Sequence, residues 1–419
     1  MKHRAVTVVG IGDDGCVGLS ARGRNAIAAA QVLVGGERHL AFVPEFSGER
    51  IVVKGGMAAV LERVTAAAED ANVCVLASGD PLFFGIGAAI VEKVGAAHVE
   101  IIPQPSSMQL AFARAGLRWE DAAIVSVHGR PLAGVVTRLR ARGKAALLTD
   151  GESSPARIAA HLVTHGDAAW RAWVCERLGG PGERVRAFAS LDELAAVADI
   201  DPLNVLLLER TEHSGRAWRP PPAIPFLPEE DFAKRVPKLG LITKREIRLL
   251  SIAAMSLAPD AVVWDVGAGS GSVAIEAGLL APLGQVFAVE VDPDCVAMAR
   301  DNARAHGADN VTVVAGRAPD ALADLPDPDA VFVGGSKGSM AAIVDVALAR
   351  LRPRGRLVVN AITLDNAAEV YQALRARGLT PEVTLVQISR AEPLATYLRY
   401  DALNPIQIFA VTRPEPTST

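Results

Sequence analysis

"VVWDVGAGSGSVAIEAG", residues 262–278, decides the fold of the second half of this chain. An apolar run typical of a buried strand leads into glycines at 267, 269 and 271, and a helical pattern follows. Glycines at such a turn let the backbone approach a ligand closely, and the start of the helix offers free N–H groups to an anion. The stretch therefore predicts a ligand-binding loop between a strand and a helix.

Two acidic residues beside this loop favour one ligand over another. The dinucleotide pattern G-x-G-x-x-G requires a glycine where this chain has Ser272. Asp265 precedes the first glycine, where its carboxylate could face a cationic amino group, and Glu290 ends the next apolar run, where it could accept hydrogen bonds from both ribose hydroxyls. We therefore predict S-adenosylmethionine, which has a zwitterionic methionine end. The alternatives are an NAD-dependent oxidoreductase and a glycine turn that serves packing only.

Two further segments are predicted to lie near this loop. "AGRAPDAL", residues 315–322, follows the third strand, and "DAVFVGGSKG", residues 329–338, ends the fourth strand at the edge where ligands bind in open α/β sheets. In "LITKREIRLL", residues 241–250, the spacing of Thr243 and Glu246 predicts a capping box at a helix start.

Apolar runs alternate with helical patterns along the whole chain, which indicates an α/β protein. After the linker, strand patterns separated by helices and a final antiparallel pair predict a seven-stranded, doubly wound, Rossmann-like sheet. A stretch with six prolines, residues 211–240, marks the boundary between the halves. The predicted organisation is a first domain, a proline-rich linker, a second domain and a frayed tail, at residues 1–210, 211–231, 232–413 and 414–419.

Composition excludes several classes of protein. The formal net charge of −4 argues against general binding of nucleic acid, which needs a concentrated basic face. Four scattered cysteines without a CxxC pair predict reduced thiols in a cytoplasmic protein, and neither a disulfide framework nor a metal site. Every long apolar stretch is interrupted by charge or proline, so no membrane span is expected.

The second half resembles a known family. The segments "TKREIR", "AVEVDPD", "NVTVVAGRAPDAL", "VFVGGSKG" and "LNPIQIF" are similar to the decarboxylating precorrin methyltransferase unit of corrin biosynthesis, over nearly all of residues 232–412. The resemblance implies a class I methyltransferase fold and a cofactor contact from Thr243. The cofactor-binding residues predicted for this half are Thr243, Asp265, Gly267, Ala268, Gly269, Ser270, Gly271, Glu290, Arg317, Ala318 and Gly334.

The first half resembles the tetrapyrrole methylase family. "SGDPLFFGIG", residues 78–87, is similar to that family's G-D-P-x-x-(Y/F)-G loop, and "PSS", residues 105–107, is similar to its proline-serine-serine loop. The resemblance implies two α/β subdomains with S-adenosylmethionine in the cleft between them. The implied binding residues are Gly10, Gly79, Asp80, Pro81, Gly85, Ser106 and Ser107.

Two features of the first half keep other interpretations open. The sequence "GDP" alone is equally typical of a type I turn with an Asx cap. Asp13 and Asp14 stand where the family has Pro-Gly, and Gln104 stands where glycine is common. A non-catalytic module that binds tetrapyrrole is therefore the alternative for this half.

The two units fused in this order imply a bifunctional enzyme that acts on a precorrin tetrapyrrole. The resemblance assigns C5 methylation to the first domain, assigns C15 methylation and decarboxylation of an acetate side chain to the second, and implies one S-adenosylmethionine site per domain and self-association. Such a substrate bears many carboxylates, which basic side chains bind. The candidates, each equally typical of a solvated surface cation, are Lys244, Arg248, Lys337, Arg390, Arg399, His128 and Arg130.

Overall fold

A computed structural model describes the chain at residues 6–54, 56–211, 219–233 and 242–413. The described residues form two compact units. The first unit takes residues 6–131, 143–159 and 169–211, and the second takes residues 132–142, 160–168 and the described residues from 219 to 413. Part of the predicted linker, residues 212–218, and the predicted tail, residues 414–419, lie outside the described residues.

The first sheet of the first unit is parallel throughout. Its strands are β1 Val6–Ile11, β2 Val32–Gly35, β3 Glu49–Val52, β4 Val73–Ser78 and β5 Val99–Ile102, in the order β3-β2-β4-β1-β5. The helices that connect them are α1 Ala21–Ala29, α2 Glu37–Ala41, α3 Met57–Asp70 and α4 Gly87–Val94. The Ser20 hydroxyl accepts a hydrogen bond from the Gly23 N–H and so caps the start of α1.

The second sheet of the first unit is mixed. Its strands are β6 Ala123–Ser126, β7 Lys144–Leu148, β8 Trp170–Glu176, β9 Arg184–Phe188 and β10 Asn204–Arg210, in the order β6-β7-β10-β8-β9. Only β6 and β7 pair in parallel among these strands of the described chain. The helices of this part of the sequence are α5 Ser107–Ala115, α6 Val135–Leu139, α7 Pro155–Thr164 and α8 Leu191–Ala195.

Strand β9 is absent from the sequence-based expectation. Its sequence, "RVRAF", has arginines at alternate positions instead of apolar residues. Arg184 and Arg186 both pair with the buried carboxylate of Glu176 on β8, at 2.7 and 3.2 Å. Ion pairing across the sheet therefore holds this edge strand, and hydrophobic periodicity does not report such pairing.

The second unit contains a doubly wound sheet with the predicted antiparallel ending. The strands from residue 262 onward are β11 Val262–Val266, β12 Gln285–Glu290, β13 Val311–Ala315, β14 Ala330–Val333, β15 Arg356–Ala361, β16 Glu382–Val386, β17 Ser389–Leu394, β18 Tyr397–Ala402 and β19 Ile406–Thr412. Within the described residues, seven of them form one sheet in the order β13-β12-β11-β14-β15-β19-β16, and β19 runs antiparallel to both of its neighbours. The α-helices from residue 245 onward are α9 Arg245–Met255, α10 Ser272–Leu280, α11 Pro293–Ala305, α12 Met340–Arg350 and α13 Leu364–Ala376. The fold class predicted for this half is confirmed.

Strands β17 and β18 form a separate antiparallel hairpin that the sequence patterns did not predict. Every side chain of β18 is exposed, including Tyr397 and Tyr400. A hairpin without a buried face shows no alternation of apolar and polar residues, so periodicity cannot identify it.

The large sheet is buried on both faces, as its continuous apolar runs predicted. Trp264 and Val266 of β11 pack into the cluster on one face, and Val263 packs into the cluster on the other. The strand order places β11 between β12 and β14, so the loops at their carboxyl ends meet at one edge. Among the described residues, no helix is both long and apolar enough to span a membrane.

Candidate active sites

A cavity of about 700 Å³ lies at the carboxyl edge of the large sheet. This volume is typical of a small-molecule site. Most of the cofactor-binding residues predicted for this half line it: Thr243, Gly267, Ala268, Gly269, Ser270, Glu290, Arg317, Ala318 and Gly334. The structure thus brings together segments that are far apart in sequence, whereas Asp265 and Gly271 are not among the lining residues.

The glycine loop is shaped by two close approaches. Gly267 has a φ of +73°, and a Cβ there would lie 2.5 Å from the Gly335 carbonyl oxygen, so a side chain would force the loops after β11 and β14 apart. A Cβ on Gly271 would lie 3.1 Å from the Cβ of Ala299 on α11. Gly271 therefore serves packing of the loop against α11, where the sequence predicted a cofactor contact.

Glu290 is held at the cavity wall by three backbone donors. Its Oε2 accepts from the Gly269 N–H at 2.8 Å, and its Oε1 accepts from the N–H groups of Val291 and Asp292 at 2.8 and 2.9 Å. A carboxylate offers about four lone-pair positions. About one is left for a ligand hydroxyl, fewer than the two ribose contacts that the sequence suggested.

Asp265 is buried, and its carboxylate faces the first turn of α10. Oδ2 accepts from the Ala274 N–H at 2.9 Å, and Oδ1 has no hydrogen-bond partner among the described residues. Burial raises the pKa of Asp265 to about 7, which the hydrogen bond from Ala274 opposes and the nearby Glu290 carboxylate reinforces. The predicted position, facing a ligand amino group in the cavity, is therefore not the one that this carboxylate occupies.

The raised pKa of Asp265 predicts a pH dependence of stability. The folded state holds the proton more tightly than the unfolded state, so the stabilisation is complete below pH 4 and is lost as the pH rises to about 7. We expect the Asp265→Asn variant to lack this loss, and the difference in unfolding free energy between the two proteins to change by about 2 kcal/mol between pH 5 and pH 8. Denaturant unfolding of both proteins across that range measures it, and parallel pH profiles would refute the assignment.

The predicted capping box at Thr243 does not form. Helix α9 begins at Arg245 and has Lys244 at its N-cap position. The Lys244 side chain makes no capping hydrogen bond. The Glu229 carboxylate instead accepts from the Arg245 N–H at 2.9 Å. A residue distant in sequence thus satisfies the helix start and leaves the segment around Thr243 on the cavity wall.

Arg248 and Arg390, two of the candidate substrate-binding cations, are committed to structural contacts. The Arg248 side chain is fully buried, pairs with the Glu276 carboxylate at 2.9 Å and donates to the Thr243 carbonyl at 2.7 Å. Arg390 donates to both carboxylate oxygens of Glu229 at 2.8 Å and to Glu246 at 2.6 Å. Both guanidinium groups bind carboxylates of the chain and neither residue is among those that line the cavity, so the structure does not bring these two candidates to the site. Short local sequence cannot reveal these distant carboxylate partners.

The other cations of the second unit remain available. Lys244 and Lys337 line the cavity, and neither ammonium group makes an ion pair with a described residue. Lys337 has a φ of +44°, a strained conformation for a residue with a side chain. Arg399 lies exposed on β18, outside the cavity lining. Among the candidate substrate-binding cations of this unit, the two lysines are therefore the ones that line the cavity, where Arg317 also lies.

A second cavity, of about 380 Å³, lies within the first unit at the carboxyl edge of its parallel sheet. Gly79, Gly85, Ser106 and Ser107 line it, as predicted. Ser106 is the N-cap of α5 and forms a capping box with Gln109. The resemblance thus located this cavity, although part of the serine loop serves the helix.

The other residues predicted for the cavity of the first unit stabilise the loops around it. A Cβ on Gly10 would lie 2.0 Å from the Gly79 carbonyl oxygen, so β1 and the "GDP" loop are in close contact. The Asp80 Oδ1 accepts from the Leu82 N–H at 2.9 Å, and the Pro81 carbonyl accepts from the Gly87 N–H at 3.0 Å. Asp80 therefore forms the Asx turn that was the structural alternative, and none of Gly10, Asp80 and Pro81 is among the lining residues.

The remaining sequence candidates of the first unit have local partners. The His128 Nδ1 lies 3.2 Å from the Thr149 carbonyl oxygen, and Arg130 is exposed. Neither residue is among those that line the cavity. Gln104 donates to the Gly18 carbonyl at 2.9 Å. Asp13 accepts from Arg38 at 3.2 Å, which gives the acidic departure in the first loop a basic partner.

Sequence reasoning missed several lining residues. In the first unit these are His39, Ser78 and the apolar side chains of Val53, Met57, Phe83 and Phe84. In the second unit they include Met298, Asn360, Ile388 and Leu403. The position of "GGERHL" directly after β2 could have indicated His39, because parallel neighbouring strands end at one edge.

Comparison with known proteins identifies the family. Residues 5–195 match the family model of tetrapyrrole (corrin/porphyrin) methylases, and residues 237–413 match that of the precorrin methyltransferase domain. A Sinorhizobium sp. protein named precorrin-6Y C(5,15)-methyltransferase [decarboxylating] is 37% identical over 412 residues, which cover 97% of this chain and 96% of that protein. The chain belongs to the precorrin-6Y C5,15-methyltransferase (decarboxylating) family. Methyltransferases of this family take their methyl group from S-adenosylmethionine.

Two shorter relatives of the family each match less than half of this chain. The first, a probable cobalt-precorrin-6B C(15)-methyltransferase (decarboxylating) of Pyrobaculum calidifontis, is 37% identical over 45% of this chain and 96% of its own length. The second, a cobalt-precorrin-7 C(5)-methyltransferase of Salmonella typhimurium, is 38% identical over 43% of this chain and 88% of its own length. This chain is thus similar both to a protein named for methylation at C5 and C15 and to proteins named for methylation at one of these positions.

Proposed function

We propose that the chain methylates C5 and C15 of precorrin-6Y and decarboxylates the C12 acetate side chain, which gives precorrin-8X in cobalamin biosynthesis. The first unit would methylate C5, and the second would methylate C15 and release carbon dioxide. The observation that carries the proposal is a separate cavity at the carboxyl edge of a parallel sheet in each unit. Similarity to a bifunctional relative over 97% of the chain supports it.

The cavity of the second unit has groups that fit S-adenosylmethionine. The Ser270 Oγ is buried in the loop that lines the cavity, without a hydrogen-bond partner among the described residues. A ligand carboxylate would satisfy that hydroxyl and the N–H groups at the start of α10. Glu290 retains capacity for a ribose hydroxyl, and Gly267 lets the loops after β11 and β14 approach each other at the cavity wall.

The cavity of the first unit offers a different set of groups for a second molecule of the cofactor. Its polar part contains the backbone of Gly79 and the hydroxyls of Ser106 and Ser107. Its apolar part contains Met57, Phe83 and Phe84, which could cover a flat aromatic group. Two cofactor sites, one per unit, are therefore part of the proposal.

Methyl transfer requires little covalent chemistry from the chain. When bound, S-adenosylmethionine supplies a methyl group on a positively charged sulfur, which leaves as a neutral thioether. The protein holds the reacting centres in line and excludes water. In the cavity of the second unit, the buried side chains of Ile242, Ile247 and Ile343 provide the apolar part of the wall.

Decarboxylation requires a held carboxylate and a place for two electrons. The bond between the acetate methylene and its carboxyl carbon breaks, carbon dioxide leaves, and the electron pair enters the conjugated, protonated tetrapyrrole. Lys244 and Lys337, which lie on the cavity wall together with Arg317, would bind the carboxylates of the substrate. Their role is to orient the macrocycle beside the glycine loop.

Replacement of Lys337 tests this orientation. We expect Lys337→Met to raise the KM for the precorrin about tenfold while the affinity for S-adenosylhomocysteine stays unchanged, because one charge contact to the substrate is lost. Lys93→Met, at an exposed position on α4 outside both cavity linings, serves as the control. An unchanged KM for Lys337→Met, or an equal effect from Lys93→Met, would contradict the assignment.

Product analysis tests the function as a whole. Incubation of the full chain with reduced precorrin and S-adenosylmethionine should give a product with two added methyl groups and without one carbon dioxide, measured by mass spectrometry. Calorimetric titration with S-adenosylhomocysteine should give two sites per chain. A product with one methyl group and a single site would favour a non-catalytic first unit, and preferential binding of NAD would favour an oxidoreductase.

We also propose that the enzyme acts in the cytoplasm as a homo-oligomer, without nucleic acid or membrane partners. The four free cysteines, Cys16, Cys74, Cys175 and Cys295, are consistent with a reducing compartment. Sedimentation analysis of the purified chain measures the oligomeric state.

A further inference from the structure

Ser78 and His39 form a hydrogen-bonded pair in the cavity of the first unit. Ser78 is the last residue of β4, and His39 lies in α2, which follows β2. Strands β2 and β4 are parallel neighbours, so the two residues meet at the carboxyl edge of the sheet. The Ser78 Oγ lies 2.9 Å from the His39 Nε2, and both residues line the cavity.

Arg38 lies beside both members of the pair. Its Nη2 donates to the Ser78 Oγ at 3.3 Å and lies 3.4 Å from the His39 Nε2, and its Nη1 donates to the Asp13 carboxylate at 3.2 Å. The Ser78 hydroxyl accepts from Arg38 and, in the tautomer of His39 that carries its proton on Nδ1, donates its own proton to the Nε2. Asp13 holds the guanidinium in this position.

The imidazole of His39 is neutral near pH 7 and is a weak base. Burial and the neighbouring Arg38 charge lower the pKa of His39 to about 4, and the Asp13 carboxylate opposes this only in part. The Nδ1 is buried without a hydrogen-bond partner among the described residues. A neutral imidazole whose Nε2 faces a hydroxyl is the arrangement of a general base.

The reaction proposed for this unit requires such a base. Methylation of a meso carbon breaks the bond between sulfur and the methyl carbon and forms the new carbon–carbon bond. It leaves a tetrahedral meso carbon that still bears its hydrogen, in a macrocycle that carries the positive charge. That proton must leave before the conjugation of the macrocycle is restored. Among the described residues that line the cavity, His39 is the one with a titratable side chain.

We propose that Ser78 and His39 together accept the meso proton that C5 methylation releases. The Ser78 Oγ takes the proton from the carbon as its own proton passes to the His39 Nε2, and solvent later removes it from the imidazole. Ser78 is the catalytic residue, His39 acts through it, and Arg38 and Asp13 position the pair. The assignment rests on the proposed C5 methylation by the first unit.

Four variants of the full chain test the assignment: Ser78→Ala, His39→Gln, His39→Gly and, as a matched control at an exposed position outside the lining, His98→Gln. We expect the first two to slow C5 methylation by about 10²–10⁴-fold, the usual contribution of a positioned general base. S-adenosylhomocysteine binding and C15 methylation should be unchanged. A substrate deuterated at C5 should show a primary isotope effect in His39→Gln that exceeds the wild-type value, because proton removal becomes slow. Added imidazole should partly restore His39→Gly.

Two outcomes would overturn the assignment. One is C5 methylation within about threefold of wild type in both Ser78→Ala and His39→Gln. The other is a slower reaction with weaker S-adenosylhomocysteine binding and an unchanged isotope effect, which would make the pair structural. Failure of the proposed function differs from both, since the wild-type chain would then give no C5-methylated product.

Discussion

Gly267→Ala is expected to weaken S-adenosylhomocysteine binding in the second unit by at least about 100-fold and to abolish C15 methylation and decarboxylation. The φ of +73° at this position costs a residue with a side chain roughly 1–2 kcal/mol. The new Cβ would also lie 2.5 Å from the Gly335 carbonyl oxygen and 2.8 Å from its nitrogen, so the loop after β14 must move. Both loops line the cavity, and each 1.4 kcal/mol of lost binding energy is a factor of ten in affinity.

A glycine elsewhere in the same unit separates the two causes. Gly378 has a φ of +74°, and a Cβ there would have no heavy atom within 4 Å. Gly378→Ala should therefore show the conformational cost as a small loss of stability and leave ligand binding intact. Calorimetric titration and product mass spectrometry report both variants. Unchanged binding in Gly267→Ala, or an equal loss in Gly378→Ala, would mean that the contact with Gly335 does not shape the site.

The sequence predicted the frame of the second site well. A strand, a glycine turn and a helix are local features, and the parallel order of β12, β11 and β14 then places their loops at one edge. For this reason Gly267, Glu290 and Gly334 were located correctly although they are distant along the chain.

The sequence did not predict which charged side chains line the cavity and which pair with other residues of the chain. Arg248 and Lys244 lie four residues apart and have the same charge, yet one is fully buried against Glu276 and the other lines the cavity. Asp265 precedes a glycine loop, yet its carboxylate binds the Ala274 N–H. Partner choice of this kind depends on tertiary contacts, which a pattern within one segment does not contain.

The first unit illustrates how a motif can be located correctly and yet have a mixed role. The "GDP" loop borders the cavity, but Asp80 is used by its own turn and the proton-accepting pair is formed by residues outside the motif. Ser78 directly precedes the motif, and His39 follows a different strand. A family pattern marks where a loop lies, whereas the side chains that share its cavity depend on strand order.

Arg248→Met is expected to lower the free energy of unfolding of the second unit by about 3–5 kcal/mol. The Arg248 guanidinium is fully buried, pairs with Glu276 at 2.9 Å and also donates to the carbonyl groups of Thr243 and Leu227. Burial already raises the pKa of Glu276, and Arg248 opposes that rise. Without Arg248 the carboxyl group is left buried and uncompensated, which is costlier than the absence of both partners. The Thr243 carbonyl loses its donor, so cofactor binding should weaken as well.

Matched variants distinguish this buried pair from an ordinary one. Arg248→Met combined with Glu276→Met should recover about half of the lost stability, because the uncompensated carboxyl is removed but the Leu227 N–H then loses its acceptor, Glu276. Arg304→Met removes an exposed pair with Asp301, which should contribute only roughly 0.5 kcal/mol. Urea unfolding of the four proteins, with hydrogen exchange of α9 and α10 as a local readout, measures these differences. If Arg248→Met loses no more stability than Arg304→Met, the buried pair does not hold the segment around Thr243 against the sheet.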